Sequence, residues 1–225
     1  MNILEVCAAS LFSAKEAAEG GAQRIELCTR LDLDGLTPPM DEIRQASEIN
    51  GLTVNVLIRC REGGFVYSRQ ELNTMESQIR EAVRLGADGI VIGALTPDGD
   101  IDTAGCRQLM EAAQGLPVTF HRAFDQCRDP RKGLEDIIEM GCSRLLTSGQ
   151  AGTAEAGIGL LRELNEQARG RIIIMPGAGV NPVNAARILQ ETGCREIHSS
   201  ARRQGESDTN RDVVGQIIKE INGIR

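Results

Sequence analysis

The chain has 225 residues, 41% of them hydrophobic, and a formal net charge of −7 with a pI near 5.0. That length and apolar fraction support one large buried core. The acidic balance, and an aromatic set of four Phe, one Tyr and no Trp, argue against nucleic-acid binding, which needs basic surfaces and stacking platforms.

No apolar run approaches the roughly 18 residues of a membrane helix, and no basic stretch leads into an apolar signal core. Seven scattered cysteines read as reduced thiols of a cytoplasmic protein rather than a disulfide framework. In chain order, short β-rich runs fall at residues 3–7, 24–28, 54–59, 89–93, 118–121, 144–148, 172–175 and 196–199. Each ends in a polar or glycine-rich turn and leads into a helical stretch. The spacing of roughly 28 residues between run starts fits βα units better than a solenoid repeat. Eight such units predict an α/β protein, a closed (β/α)₈ TIM barrel forming one domain over residues 1–225. The site is expected among the loops at the strand C-terminal ends.

After the third run, Leu72, Met75, Ile79, Val83 and Leu85 form an apolar helical stripe, and Leu160, Leu161 and Leu164 another after the sixth. Asn181 followed by Pro182 predicts an N-cap and first helical position. Val213, Val214, Ile217, Ile218 and Ile221 predict a C-terminal helix that closes the outer ring. Two connections are long and polar. Residues 60–68 hold Gly63-Gly64, then Phe65 and Tyr67, a lid with hydrophobic fingers. Residues 201–211 predict a charged, partly ordered rim.

Strand alternation assigns faces, with apolar side chains turned outward to the helices. Leu4 and Val6 point out, so Glu5 and Cys7 point in. By the same rule Arg24, Glu26, Cys28, Asn55, Arg59, Thr119, His121, Glu196 and His198 point in. An interior this ionic differs from the Val, Ile and Leu layers of a structural barrel centre, and burying charge without use is costly. Glu5 and Glu26, on adjacent strands, would compete for ionisation, leaving one as a general acid near neutral pH. Alternatively Arg24 and Arg59 neutralise both. His121 and His198 reach strand ends as acid/base candidates. Arg59, Arg122, the Gly177-Ala178-Gly179 turn and Ser199 are candidate anion-binding elements. The glycines equally serve a tight turn. The turn is no dinucleotide fingerprint, because Pro182 falls where a third glycine would, so no nucleotide cofactor is implied.

Cys7 and Cys28 end neighbouring strands. They either present two thiolates to a soft ion such as Cu(I) or pack as small hydrophobes. No zinc-like cysteine spacing occurs. Asp98, Asp100 and Asp102 do not form a calcium loop, because Thr103 and Leu109 replace the required Gly and Glu.

The stretches Glu5-Val6-Cys7, Arg24-Ile25-Glu26-Leu27-Cys28, Gly35-Leu36-Thr37-Pro38 and Gly64-Phe65-Val66-Tyr67-Ser68 form an ordered series. It continues through Gly93-Ala94-Leu95-Thr96-Pro97-Asp98-Gly99, Phe120-His121-Arg122-Ala123-Phe124-Asp125 and Leu146-Thr147-Ser148-Gly149-Gln150. Met175-Pro176-Gly177-Ala178-Gly179-Val180 and Glu196-Ile197-His198 complete it. In this series the chain resembles the CutC family, named for copper homeostasis. The resemblance implies a barrel, a cytoplasmic location, a homo-oligomer (most often a dimer) and Cu(I) ligation by Cys7 and Cys28. It departs from the family at Cys60, where a proline usually stands between Arg59 and Arg61. It departs again at Leu33-Asp34-Gly35, where a glycine pair is common. A second reading, from the ionic interior, is an isomerase, lyase or hydrolase. Glu5, Glu26, His121 and His198 would then do acid/base work on a small anionic metabolite, phosphorylated ones included.

Overall fold

A computed structural model describes residues 2–223. The strands are β1 (Ile3–Ala8), β2 (Arg24–Leu27), β3 (Thr53–Leu57), β4 (Gly89–Ile92), β5 (Val118–Phe120), β6 (Arg144–Thr147), β7 (Ile173–Pro176) and β8 (Glu196–Ser199). The helices are α1 (Leu11–Glu19), α2 (Met40–Ser47), α3 (Arg69–Arg84), α4 (Thr103–Ala112), α5 (Pro130–Met140), α6 (Ile158–Ala168), α7 (Ala185–Thr192) and α8 (Arg211–Asn222). Every ladder is parallel, in the order β7-β6-β5-β4-β3-β2-β1-β8. Strands and helices alternate around one core, the (β/α)₈ barrel expected. No helix among the described residues is long and apolar enough to cross a membrane.

Seven of the eight seams are hydrogen-bonded; among the described residues β7 and β8 form no ladder. Gly177 gives its N–H to Thr147 of β6 at 3.0 Å, so by alternation the N–H of residue 176 would face β8. Residue 176 is proline and has none to give. Side chains span the gap instead: Ser199 Oγ donates to Val180 O at 2.7 Å.

Several strands stop short of the expected ends, but their backbones hold their line. Ile58 N–H bonds Val91 O at 2.9 Å, Cys28 N–H bonds Ala8 O at 2.9 Å, and His121 N–H bonds Ile92 O at 2.8 Å. On the outer face Leu4, Val6, Ile25, Val54, Val56, Phe120 and Ile197 are buried in one core with the helices.

The helices begin where side chains can satisfy their free N–H groups. Ser68 and Glu71 form a reciprocal capping box on α3. Leu72, Met75 and Ile79 bury from it, with Val83 and Leu85 partly buried beside them. Asp102 caps α4 by accepting from Gly105 N–H at 3.0 Å. Asn181 does not open α7, whose regular turns start at Ala185. Its side chain accepts Val183 N–H at 2.9 Å and its carbonyl accepts Ala185 N–H at 3.1 Å, so it caps an extra turn before the helix.

The C-terminal α8 buries Val214, Ile217 and Ile221 against α1, α7 and β1. The charged rim before it is pinned rather than loose. Ser13 Oγ donates to Asp208 at 3.1 Å, Thr209 N–H to Ser13 Oγ at 3.2 Å, and Arg202 bridges Thr209.

Candidate functional site

Two layers of polar side chains fill the barrel. In the lower layer, Glu5 is 0% exposed and fully paired. Arg24 Nε donates to it at 2.8 Å, Asn55 Nδ2 at 2.8 Å, and His198 Nδ1 lies 3.0 Å away. Burial works to raise the Glu5 pKa, but the His198 hydrogen bond, the Arg24 charge and Asn55 outweigh it and hold the carboxyl at about 2. Arg24 also pairs with Glu196, which Arg144 Nε meets at 2.8 Å from the start of β6. The residues overlooked in the sequence are therefore Glu196 and Arg144. Inward alternation already placed Glu196, but nothing local marks it as the counter-ion of Arg24 across the barrel.

One layer up lie Cys7, Cys28, Glu26 and the His198 ring. Cys7 sits opposite Glu26 in the ladder, not opposite Cys28. The two thiols meet diagonally, with Sγ atoms 3.8 Å apart. Leu57 and Val91 pack beside them. Ligand atoms of Cys7, Glu26 and His198 lie within 4.8 Å of one another. Burial, countered by His198 and reinforced by Glu5, raises the Glu26 carboxyl to about 7, and its Oε2 is buried without a partner. The Cys28 hydrogen bond, then burial, push the Cys7 thiol up. Burial lowers the His198 pKa, but its bonds to Cys7 and Glu5 and the charge of Glu26 prevail, so the ring holds its proton.

The expected divergence of the two carboxylates is thus present, Glu5 low and Glu26 high. The expected neutralisation by Arg24 and Arg59 is not. Arg24 serves Glu5 and Glu196, and Arg59 serves neither.

The remaining candidates separate. Arg122 is tied to Asp125 at 2.8 Å. Asp125 in turn accepts from Thr147 Oγ1 at 2.5 Å and Ser148 Oγ at 2.9 Å, fixing the loop after β6. In the turn after β7, only Gly177 among residues 177–179 has its main-chain N–H bonded within the described residues. The Gly177 N–H is used by Thr147, and a side chain at Gly177 would strike Leu146 and crowd His198, so its glycine serves packing. The Gly179 carbonyl accepts from Asn184 Nδ2 at 3.0 Å, and the residue's positive φ of 70° makes the turn. The Ser199 hydroxyl donates to Val180 O at 2.7 Å and accepts from Ala201 N–H at 3.0 Å.

The 60–68 loop closes over the mouth. Arg61 holds it through Gly64 O at 2.8 Å and Val66 O at 2.8 Å and pairs with Glu71. From this loop Phe65 lies against His121 and Arg59.

These features define a (β/α)₈ barrel with a buried thiol, carboxyl and imidazole centre at its mouth. The CutC family model matches residues 2–203, and the chain belongs to that family. A CutC family protein of Bacteroides thetaiotaomicron is 54% identical over 205 residues, 91% of this chain and 82% of that protein. Among solved structures, a candidate copper homeostasis protein, CutC, from Streptococcus agalactiae superposes with a TM-score of 0.85 at 37% identity. The match covers 89% of this chain and 99% of that one. An aldolase, QR15, shares the fold alone, with a TM-score of 0.68 at 17% identity over 100% of this chain and 97% of that one.

Proposed function

We propose that this protein takes part in copper homeostasis by binding Cu(I) between Cys7 and Cys28. The observation that carries the reading is the pair of thiols 3.8 Å apart at the barrel mouth. Soft thiolate ligands select Cu(I) over harder ions. The surroundings fit such cargo: Glu26 brings an unpartnered carboxyl oxygen, and its ligand atom lies within 4.8 Å of Cys7. Leu57 and Val91 pack beside the sulfurs. A reducing, cytoplasmic setting belongs to this reading, because ligation requires both thiols unoxidised. Ligation also requires thiolates, so uptake releases protons and tightens as pH rises. The copper-homeostasis name of the Streptococcus agalactiae relative supports the same reading.

The test is anaerobic titration of reduced protein with Cu(I) against a competing chelator, alongside the Cys7→Ser/Cys28→Ser variant. Stoichiometric binding lost in the variant is expected. Binding that is equal in both proteins, or absent from both, refutes the two-thiol site.

A further inference from the structure

Arg59 is 3% exposed, and no carboxylate among the described residues lies within ion-pair distance of it. Its guanidinium has five N–H donors. Nη1 uses two, on Leu33 O at 2.7 Å and Gly35 O at 2.8 Å, and Nη2 uses one on Gly63 O at 2.7 Å. The Nε–H is buried with no partner. Carbonyl dipoles satisfy hydrogen bonds but do not cancel a full charge, and an uncompensated buried cation is among the costlier features a fold retains.

His121 stands two strands away at 6% exposure. Its Nδ1 accepts the Ala123 N–H at 3.1 Å, so the neutral ring carries its proton on Nε2, and that Nε2 is likewise buried without a partner. Burial, with the nearby Arg59 charge added, presses its pKa down to about 3. The ring is therefore a neutral donor throughout the physiological range, in the manner of an imidazole that polarises an oxygen rather than exchanging a proton.

Between these two side chains runs β4, and the residue that follows it at this level is Gly93. Any side chain there would strike the imidazole, so glycine lets the ring pack against this strand end. Phe65 closes the top. Its ring lies 5.1 Å from the Arg59 guanidinium carbon and 5.1 Å from the His121 ring centroid. Gly63 and Gly64 precede it, and a side chain at Gly64 would meet nothing within 4 Å.

We propose that Arg59 and His121, roofed by Phe65, form an oxyanion-binding site for a small carboxylate- or phosphate-bearing metabolite. Two free guanidinium N–H groups suit two oxygens of one anionic group, and the His121 Nε2–H takes a third contact. The ligand enters when Phe65 swings away on the Gly63-Gly64 segment, and it supplies the negative charge that Arg59 lacks. Of the anion-binding candidates in the sequence this keeps Arg59, whereas Arg122 is tied to Asp125 and the Gly177 N–H to Thr147.

The chain offers its own reporter. Tyr67 is the one tyrosine and there is no tryptophan, so intrinsic fluorescence comes from the roof loop itself. Wild-type protein would be titrated separately with inorganic phosphate and with pyruvate, following Tyr67 emission and the ¹⁵N resonance of His121 Nε2. A saturable response of both signals to at least one anion is expected, and the anion that acts tells phosphate from carboxylate. Arg59→Met should weaken that response roughly tenfold or more. His121→Asn keeps an acceptor for the Ala123 N–H while deleting the Nε2 donor, so it tests the site in a protein whose loop cap survives; it too should weaken binding. No saturable response to either anion, or midpoints unchanged in His121→Asn, overturns the proposal.

Discussion

Arg24 and Arg59 are both buried guanidiniums on the inner face of the barrel, but their surroundings differ. Arg24 lies against the carboxylates of Glu5 and Glu196, whereas Arg59 meets only main-chain carbonyls. The same contrast runs through the acids. Glu5 has three partners and is held at about 2, while Glu26 is held near 7 with an orphaned oxygen. The lower layer is a closed ionic network that stabilises the fold. The mouth keeps its polar groups unsatisfied, and buried groups left in that state are most often there for a ligand.

Removing each arginine tests this contrast most severely. Arg24→Met takes the shared cation from two buried carboxylates, leaving Glu5 to Asn55 and His198 and Glu196 to Arg144, and should cost about 3–5 kcal/mol. Arg59→Met breaks no ion pair; it leaves three carbonyls short of donors but also removes an uncompensated charge, so the net cost should be about 1–2 kcal/mol. Urea denaturation of both variants at neutral pH measures the difference. Equal losses would mean that Arg59 is as structural as Arg24, and the division into two layers would fall.

The ease of reading these layers from sequence follows from the physics of each. Period-two alternation around Leu4 and Val6 turned Glu5 and Cys7 inward, and that rule is local. Register is not local. Cys7 faces Glu26 and touches Cys28 only on the diagonal, because closing a barrel staggers its strands by an amount no single run encodes. For the same reason Arg24 reaches Glu196 rather than sharing Glu26 with Arg59. The commitment of Arg122 to Asp125, and the delayed start of α7 after Asn181, depend on loop hydrogen bonds equally invisible in a pattern of residue types. The missing β7–β8 ladder was more accessible, since Pro176 stands in plain view, but its meaning depends on knowing which neighbour it faces.

The two glutamates give the next largest effect, with opposite signs. A carboxyl whose folded pKa is raised from 4.5 to about 7 favours the fold below 4.5 and loses that contribution as pH rises through 7. For Glu26 the span is on the order of 3 kcal/mol. Glu5, lowered to about 2, contributes above 4.5 and loses that contribution as pH falls through 2. Urea midpoints for wild type and Glu26→Gln at pH 5 and pH 9 should therefore diverge, the variant gaining on wild type at the higher pH. A difference that does not change with pH would show Glu26 already ionised in the fold.

Gly93→Ala probes the space beside His121. The new methyl group would overlap the imidazole and approach the Ala123 Cβ at 3.1 Å, an overpacking that should cost about 1–3 kcal/mol. The ring must shift to admit it, so the His121 ¹⁵N resonances should move more than those of His198. Equal shifts at the two histidines would point to a general loosening of the barrel instead.

Phe65→Ala should give the smallest change in stability and the clearest view of the roof. Phe65 is half-buried, and the loop around it is held by Arg59, Arg61 and the Leu95 N–H, which bonds Phe65 O at 2.9 Å. Truncating the ring removes a plug rather than a piece of the core, so the global unfolding free energy should fall by about 1 kcal/mol or less. Amide exchange should accelerate across residues 61–68 and stay unchanged in the strands. A roof that rests on its ring opens locally when the ring is cut. If exchange instead rises in β3 and β5 together with the loop, Phe65 belongs to the core, and the mouth shares the structural character of the layer below it.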